Sequence, residues 1–374
     1  MSDPSSQSAP RSGDPRPRHH GPGRALLVGL ALVFRAAVLC AETGVDSGDA
    51  EAIGADTAVG RIEYLPGRGL RLGDTHITLG GFTTAEAERL EGGESTGGLE
   101  GAHFFLSFDP LPSVHLFSEL ETGEFVNAAS DQTGARSHLA LSVARAYGDF
   151  AASDALNVRF GKFLTPIGRW NPVPAEPFVW TASEPLIVEN VFDDTVTGAM
   201  LFGRGFAPHG ALSYSLYGTF LDPLDADPAE RPAKRTAGAY LEWASLGGWS
   251  VGASYFASEA RTGPWHHLGG VDGLWRDGPI ELSGEAVFGE GTRRNGALWG
   301  LYAQAVVETL HTLYAVGRYE HFDPPGAGRA IDLYDVGLTW IPRYYLRLKA
   351  DYLFADHSQE PAAPGFRTSV SLLF

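Results

Sequence analysis

Phe366-Arg-Thr-Ser-Val-Ser-Leu-Leu-Phe374, the last nine residues of the chain, alternate between two faces. Phe366, Thr368, Val370, Leu372 and Phe374 fall on one side of an extended strand, and Arg367, Ser369 and Ser371 fall on the other. The same two-sided pattern recurs upstream. In 344–355, Leu346, Leu348, Tyr352 and Phe354 alternate with Arg347, Lys349 and Asp351. In 279–290, Ile280, Leu282, Ala286 and Phe288 alternate with Glu281, Ser283 and Glu285. Each segment has one apolar face and one charged face, and the period is that of a strand and not of a helix.

Alternating segments of about 9–11 residues separated by turn residues are the signature of strands that cross a bilayer at a tilt. Counting them predicts strands near 76–90, 99–109, 114–126, 137–150, 155–164, 195–205, 210–221 and 235–245. Eight more fall near 248–258, 264–276, 279–290, 296–308, 311–322, 331–342, 344–355 and 366–374. The total is sixteen, and single-chain bacterial barrels have even strand numbers. Connections after even strands are short, as in Ala207-Pro-His-Gly210, Ser245-Leu-Gly-Gly248 and Arg276-Asp-Gly278; those after odd strands, such as 127–136, 222–234 and 356–365, are long and polar. The expected fold is all-β, a transmembrane antiparallel up-and-down barrel with apolar side chains facing lipid and charged ones facing a lumen wide enough to hold water. Trp243, Trp249, Trp275, Trp299, Trp340, Tyr344 and Tyr345 sit near strand ends, where interfacial aromatic girdles belong. The terminal strand ending on Phe374 resembles the C-terminal strand by which outer-membrane barrels are recognised for assembly. That resemblance implies barrel-assembly machinery and outer-membrane lipid as partners, with both chain ends periplasmic.

The other end of the chain agrees. Arg11, Arg16, Arg18 and Arg24 precede the apolar run Ala25–Phe34, and after Arg35 the residues Ala36–Ala41 lead into a polar, acidic stretch. This is the layout of a secretory signal, and the apolar run is too short for a membrane-spanning helix. The expected organisation is a signal peptide at 1–41, a periplasmic lead-in at 42–75 and the barrel at 76–374. Removal of 1–41 takes away five Arg, two Asp and the only Cys, leaving 43 acidic against 23 basic residues. Such a mature chain has no disulfide or thiolate metal site, and its acidity argues against a nucleic-acid partner.

The longest break between strands is Thr165–Asp194, TPIGRWNPVPAEPFVWTASEPLIVENVFDD. Phe178, Trp180, Leu186, Ile187, Val188 and Phe192 are poor residues for a solvated tail, so the loop is expected to fold inward against the barrel wall. Ala146-Tyr-Gly-Asp-Phe150 and the run Leu156-Asn-Val-Arg-Phe-Gly-Lys-Phe-Leu-Thr-Pro-Ile-Gly-Arg-Trp-Asn171 resemble the bacterial porins grouped with phosphate-selective channels. The match covers about 26 residues closely. The resemblance implies a trimeric channel of sixteen strands whose third outer loop enters the lumen. Phosphate specialists line the pore with Arg and Lys, and this chain departs from that: its loop holds Glu176, Glu184, Glu189, Asp193 and Asp194 against one base, Arg169.

The candidate pore-lining and constriction residues are those loop residues together with Arg159, Glu281, Glu285, Arg318, Glu320, Arg347, Lys349 and Arg367. Also assigned to the lumen are Glu119, Glu121, Glu242, Asp335 and Asp351. Opposed acidic and basic groups across a narrow passage set up a transverse field. The expected function is passive diffusion of ions or small polar solutes, with a weak preference for cations. A barrel hydrolase and a non-conducting adhesin or anchor are the alternatives. No cofactor or metal site is expected: His266 and His267 are adjacent on a strand and point to opposite faces.

Overall fold

The computed structural model describes residues 53–57, 60–91, 95–123, 126–129, 141–221, 224, 233–259, 263–290, 296–324, 329–355 and 363–374. The expected signal peptide at 1–41 lies outside the described residues, as does most of loops 127–136, 222–234 and 356–365. Three short strands come first: β1 (Ile53–Thr57), β2 (Gly60–Leu65) and β3 (Gly69–Leu72). They are followed by β4 (Ile77–Leu90), β5 (Ser95–Leu111), β6 (Val114–Thr122), β7 (Val126–Ala129), β8 (Leu141–Ser153) and β9 (Leu156–Leu164). After one short helix, α1 (Leu186–Val191), come β10 (Thr195–Ala207), β11 (Gly210–Thr219), β12 (Arg235–Ser245), β13 (Trp249–Glu259), β14 (Trp265–Asp277) and β15 (Ile280–Glu290). The last five are β16 (Ala297–Leu310), β17 (Leu313–Asp323), β18 (Ile331–Arg343), β19 (Leu346–Ala355) and β20 (Gly365–Leu373).

Sixteen of these strands, β4–β6 and β8–β20, pair antiparallel with their neighbours in chain order. Pairing of β20 with β4, from Gly365↔Leu90 to Leu373↔Phe82, closes the ring. The sixteen expected strands are all present, with ends shifted by a few residues. One boundary differs in kind. Strand 114–126 stops at Thr122, and Val126–Ala129 forms β7, which pairs with the upper part of β5. β5 is long enough, at 17 residues, to rise past the rim and carry that extra partner.

The two faces of the wall invert the burial of a soluble protein. Along β18, Asp335 and Thr339 are fully buried, while Val336 and Leu338 between them are 57% and 50% exposed. Apolar side chains left outward and polar ones turned inward suit lipid outside and a polar interior. Trp249 pairs with Trp275 at the rim where the connections are two or three residues long, and both rings are exposed. This arrangement gives a sharp test. Leu338→Arg, outward in the middle of its strand, should cost about 2–4 kcal/mol, whereas Glu121→Arg on the inner face should cost less than about 1 kcal/mol. Urea unfolding in lipid vesicles measures both, and equal costs would show the faces to be misassigned.

The lead-in is more ordered than its weak pattern suggests. β1, β2 and β3 pair in sequence, and β3 pairs with the start of β4 through Leu70↔Leu79 and Arg71↔Thr78. Strands of four to six residues are too short to impose a legible alternation. The Tyr344 hydroxyl donates to the Pro66 carbonyl, tying the β2–β3 turn to the β18–β19 turn.

Candidate functional site: the loop within the lumen

Residues 165–194 turn back into the barrel, and the base of the loop is tied across itself. The Thr165 amide donates to the Asp194 carbonyl at 2.8 Å, and the Asn171 side chain donates to both the Thr165 and Asp194 carbonyls. From there Ile167, Trp170, Val179, Ile187, Val188, Val191 and Phe192 bury themselves against inward side chains of the wall, including Phe163, Phe256, Leu268, Tyr302 and Leu353. The barrel thus contains an apolar core of its own, formed between loop and wall. Helix α1 supplies Leu186, Ile187, Val188 and Val191 to it and leaves Glu189 outward.

Around that core the polar wall residues grip the loop, strand by strand from β12 to β19. Arg169 reaches Glu242, Ser250 and Asp272 at 2.7–3.0 Å. Burial opposes its charge, but Asp272 and Glu242 outweigh that and hold the guanidinium above its usual value. Glu285 accepts the amides of Arg169 and Trp170 at 2.7 and 2.6 Å and the Tyr302 hydroxyl at 2.8 Å. Gly168, at φ 63°, makes that grip possible, since a Cβ there would lie 1.9 Å from the Glu285 carboxylate. Trp180 donates to Glu281 at 2.9 Å.

Further round the wall, Glu320 accepts the Leu186 amide and Arg318 Nε. Arg318 also donates to Thr181, to both oxygens of Ser183 and to Asp335. Asp351 accepts the Ala182 amide, and Thr339 donates to the Trp180 carbonyl. Arg347 donates to the Val179 carbonyl, and Lys349 donates to Glu176 and to the Thr181 carbonyl. A carboxylate that accepts backbone amides and a guanidinium that spends its donors on carbonyls are anchors, satisfying groups that burial would otherwise leave unpaired.

The residues singled out from the sequence therefore separate into three sets. Arg169, Glu176, Glu281, Glu285, Arg318, Glu320, Arg347 and Lys349 hold the loop to the wall. Glu184, Glu189 and Arg367 line a cavity of about 280 Å³ between the loop and β4, β17–β20, together with Glu86 and Glu88. Asp193 sits at the loop base and accepts the Ala233 amide, and Arg159 lies on the far wall, in a two-pronged pair with Asp149 at 2.7 and 2.8 Å. Glu184 reaches water in the lumen but lies deep within the barrel. Burial pushes its carboxyl up to about 7, and Asp194, Glu189 and Glu176 push the same way against Arg318.

Arg145, Asp149, His103, Glu86 and Glu88 are inner-wall residues absent from the sequence-derived set. Arg145 and Asp149 could have been found, because they share the Tyr147 face of a strand already recognised. Gly248-Trp-Ser-Val-Gly252 has the spacing of a hydrolase nucleophile elbow, which requires a sharp strand-to-helix turn. Here Gly248 closes the turn before β13 at φ 80°, Trp249–Gly252 continue as strand with no helix after them, and Ser250 accepts from Arg169. His266 is buried on the inner face and His267 is exposed beside Tyr255 on the outer one. Among the described residues no cluster of His, Cys, Asp and Glu could hold a metal ion.

A closed sixteen-stranded antiparallel barrel with a charged inner wall and one long loop folded inside is a porin-like barrel. Solved structures share it. Salmonella typhi OmpF, solved in complex with daunomycin, matches over 80% of this chain and 97% of its own at 12% identity, with a TM-score of 0.59. An anion-selective porin from Comamonas acidovorans matches over 79% and 98% at 14% identity and 0.55. The outer membrane channel DcaP of Acinetobacter baumannii matches over 86% and 99% at 12% identity and 0.53. At these identities the likeness speaks for the fold alone. No protein-family description and no curated relative matches the chain.

Proposed function

We propose that the chain is an outer-membrane porin, a water-filled channel for passive diffusion of ions and small polar solutes. The observation that carries this reading is the asymmetric filling of the lumen. The loop is pinned to the wall from β12 to β19, while the charged wall of β4–β9 keeps Glu86, Glu88, Arg145 and Arg159 partly open to solvent. A barrel whose sole task was to anchor or adhere has no need of a loop held in place by this many buried polar contacts. On this reading residues 1–41 are removed on export, both ends of the mature chain lie in the periplasm, and the protein assembles as a homotrimer. Planar-bilayer recording of the membrane-extracted protein tests the channel, and its intact mass tests the cleavage. Absence of steps in current would reject the porin reading.

The selectivity proposed is a weak preference for cations, and it should depend on pH. The loop turns Glu184 and Glu189 to the cavity, while its one base, Arg169, is held by Glu242 and Asp272 of the wall. Glu184 is mostly protonated below about 7 and charged above it. Its folded value lies above the ordinary carboxyl value of 4.5. The stability it lends the loop is therefore complete below about 4.5 and falls away as pH rises to and through 7. Cation preference should run the opposite way, strengthening across pH 7 as the charge appears. Reversal potentials in a KCl gradient should show it at low salt and lose it near 1 M, where the Debye length is about 3 Å. Glu184→Gln should flatten the pH dependence, and neutralising Glu184, Glu189 and Asp193 together should shift the potential toward anions. A strongly anion-selective wild type would overturn the charge argument and restore phosphate as the solute.

A further inference from the structure

The lead-in continues the wall of the barrel beyond the C-terminus. β20 pairs with β4 as far as Leu373↔Phe82, and β3 takes up the same edge of β4 below it, through Leu70↔Leu79 and Arg71↔Thr78. Side chains directly opposite each other on antiparallel strands share a face, so the registers sort the hairpin. Leu79 pairs with Leu106 on the lipid-facing side of the wall, and both are exposed. Leu70 joins that row, Tyr64 pairs with Leu70, and Ile62 pairs with Leu72. Arg61, Glu63 and Arg71 take the opposite face, with Glu63 directly across from Arg71. The β2–β3 hairpin is therefore an amphipathic sheet whose apolar face is continuous with the lipid-facing belt. Ile62, Tyr64, Leu70 and Leu72 are only half-buried. The described strands form one sheet, so among the described residues no second sheet covers that face. Strands this few and short do not hold an apolar face against water unaided.

The tip of the hairpin adds a charge. Leu65-Pro66-Gly67-Arg68 closes as a tight turn, with the Arg68 amide donating to the Leu65 carbonyl at 2.9 Å and Gly67 at φ 70°. This turn is seated on the β18–β19 turn. A Cβ at Gly67 would lie 2.9 Å from the Tyr344 ring, and the Tyr344 hydroxyl donates to the Pro66 carbonyl. Arg68 is exposed, with its guanidinium 5.8 Å from the centroid of the Tyr344 ring, and among the described residues it pairs with no carboxylate. In a chain of formal net charge -17, a guanidinium left without an acidic partner suits an anion from outside the chain. Tyrosines sit at the level of lipid head groups, and a guanidinium offers phosphate two parallel donors. We propose, resting on the outer-membrane reading, that the β2–β3 hairpin is a lipid-docked foot. Its apolar face lies among acyl chains of the inner leaflet, and Arg68 holds the phosphate of an anionic phospholipid.

Spin labelling tests the apolar face, and counting of bound lipids tests the head-group contact. In a Cys40→Ser background, Ile62→Cys and Glu63→Cys each carry a nitroxide on protein reconstituted into vesicles of phosphatidylcholine and phosphatidylglycerol. The label at position 62 should be reached by dissolved oxygen and shielded from a water-soluble nickel chelate, and the label at position 63 should show the reverse. Native mass spectrometry of the detergent-solubilised protein should show phosphatidylglycerol retained about fivefold more readily than phosphatidylcholine, the effect of one basic residue on an anionic lipid. Arg68→Gln should abolish that preference in a protein that stays heat-modifiable. Arg276→Gln, at an exposed rim arginine already paired with Glu281, should keep it. Equal accessibility of the two labels would overturn the foot, and a preference that survives Arg68→Gln would overturn the head-group contact. Normal ion conduction by a protein with neither property would overturn the proposal and leave the porin reading standing. Both properties in a protein that passes no current would uphold the foot and overturn the channel.

Discussion

Arg318→Met should unfasten the lumen loop and raise the single-channel conductance. The Arg318 side chain is fully buried and donates to Thr181, Ser183, Glu320 and Asp335. Removing one partner of a buried charged network leaves the others uncompensated, at a cost of about 3–5 kcal/mol. The sixteen-stranded ladder does not depend on that network, so the cost should fall on the loop. Limited proteolysis should gain a cut within 165–194, and urea unfolding of the barrel should change much less. Adding Glu320→Gln and Asp335→Asn should recover part of the loss, because the stranded carboxylates would then be neutral; the non-additivity measures the coupling. Wild-type conductance and an unchanged proteolytic pattern in Arg318→Met would show that the loop is held by its apolar core alone.

The barrel was legible in the sequence because a membrane strand must satisfy a simple local rule. Every residue faces either lipid or lumen, so the pattern of Leu282, Ser283 and Glu285 can be read without knowing any neighbour. The role of the lumen charges was not legible. Placing Glu285 and Glu320 inside required only their parity, but learning that they accept amides from Trp170 and Leu186 required the path of a loop with no period. An acid-to-base count over the lumen mixes two populations. Arg169, Glu285 and Arg318 are spent as anchors, whereas Glu184, Glu189 and Arg367 border open space. The apolar content of the loop, with Ile187, Val188 and Phe192 in one run, did forecast that it packs against something. What it packs against, an apolar patch of wall made from Phe256, Leu268 and Leu353, is hidden in strands whose inner faces otherwise read as polar.

Deleting Phe374, or changing it to Asp, should sharply lower the amount of folded barrel, because this residue completes the seam. Its amide donates to the Gly81 carbonyl at 2.9 Å, and its carbonyl accepts the Gly81 amide at 3.0 Å. Its ring lies over Gly81, where a Cβ would come within 2.8 Å of the ring edge, and meets Phe104 edge-on at 5.9 Å. The two hydrogen bonds and the packed ring together contribute roughly 2–4 kcal/mol to closure of β20 on β4. Backbone groups left unpaired at a membrane seam find no water to replace that loss. If the contact acts through closure, Phe104→Ala, which removes the ring that Phe374 meets edge-on, should reproduce part of the defect while leaving the terminal residue untouched. If Phe374 acts instead only as a recognition signal for assembly machinery, Phe104→Ala should insert normally and Phe374→Asp should fail only in cells. Heat-modifiability and the outer-membrane level of each variant, compared with refolding of the purified chains into detergent, separate these outcomes. A Phe374→Asp chain that refolds in detergent as well as wild type would exclude the seam as the cause.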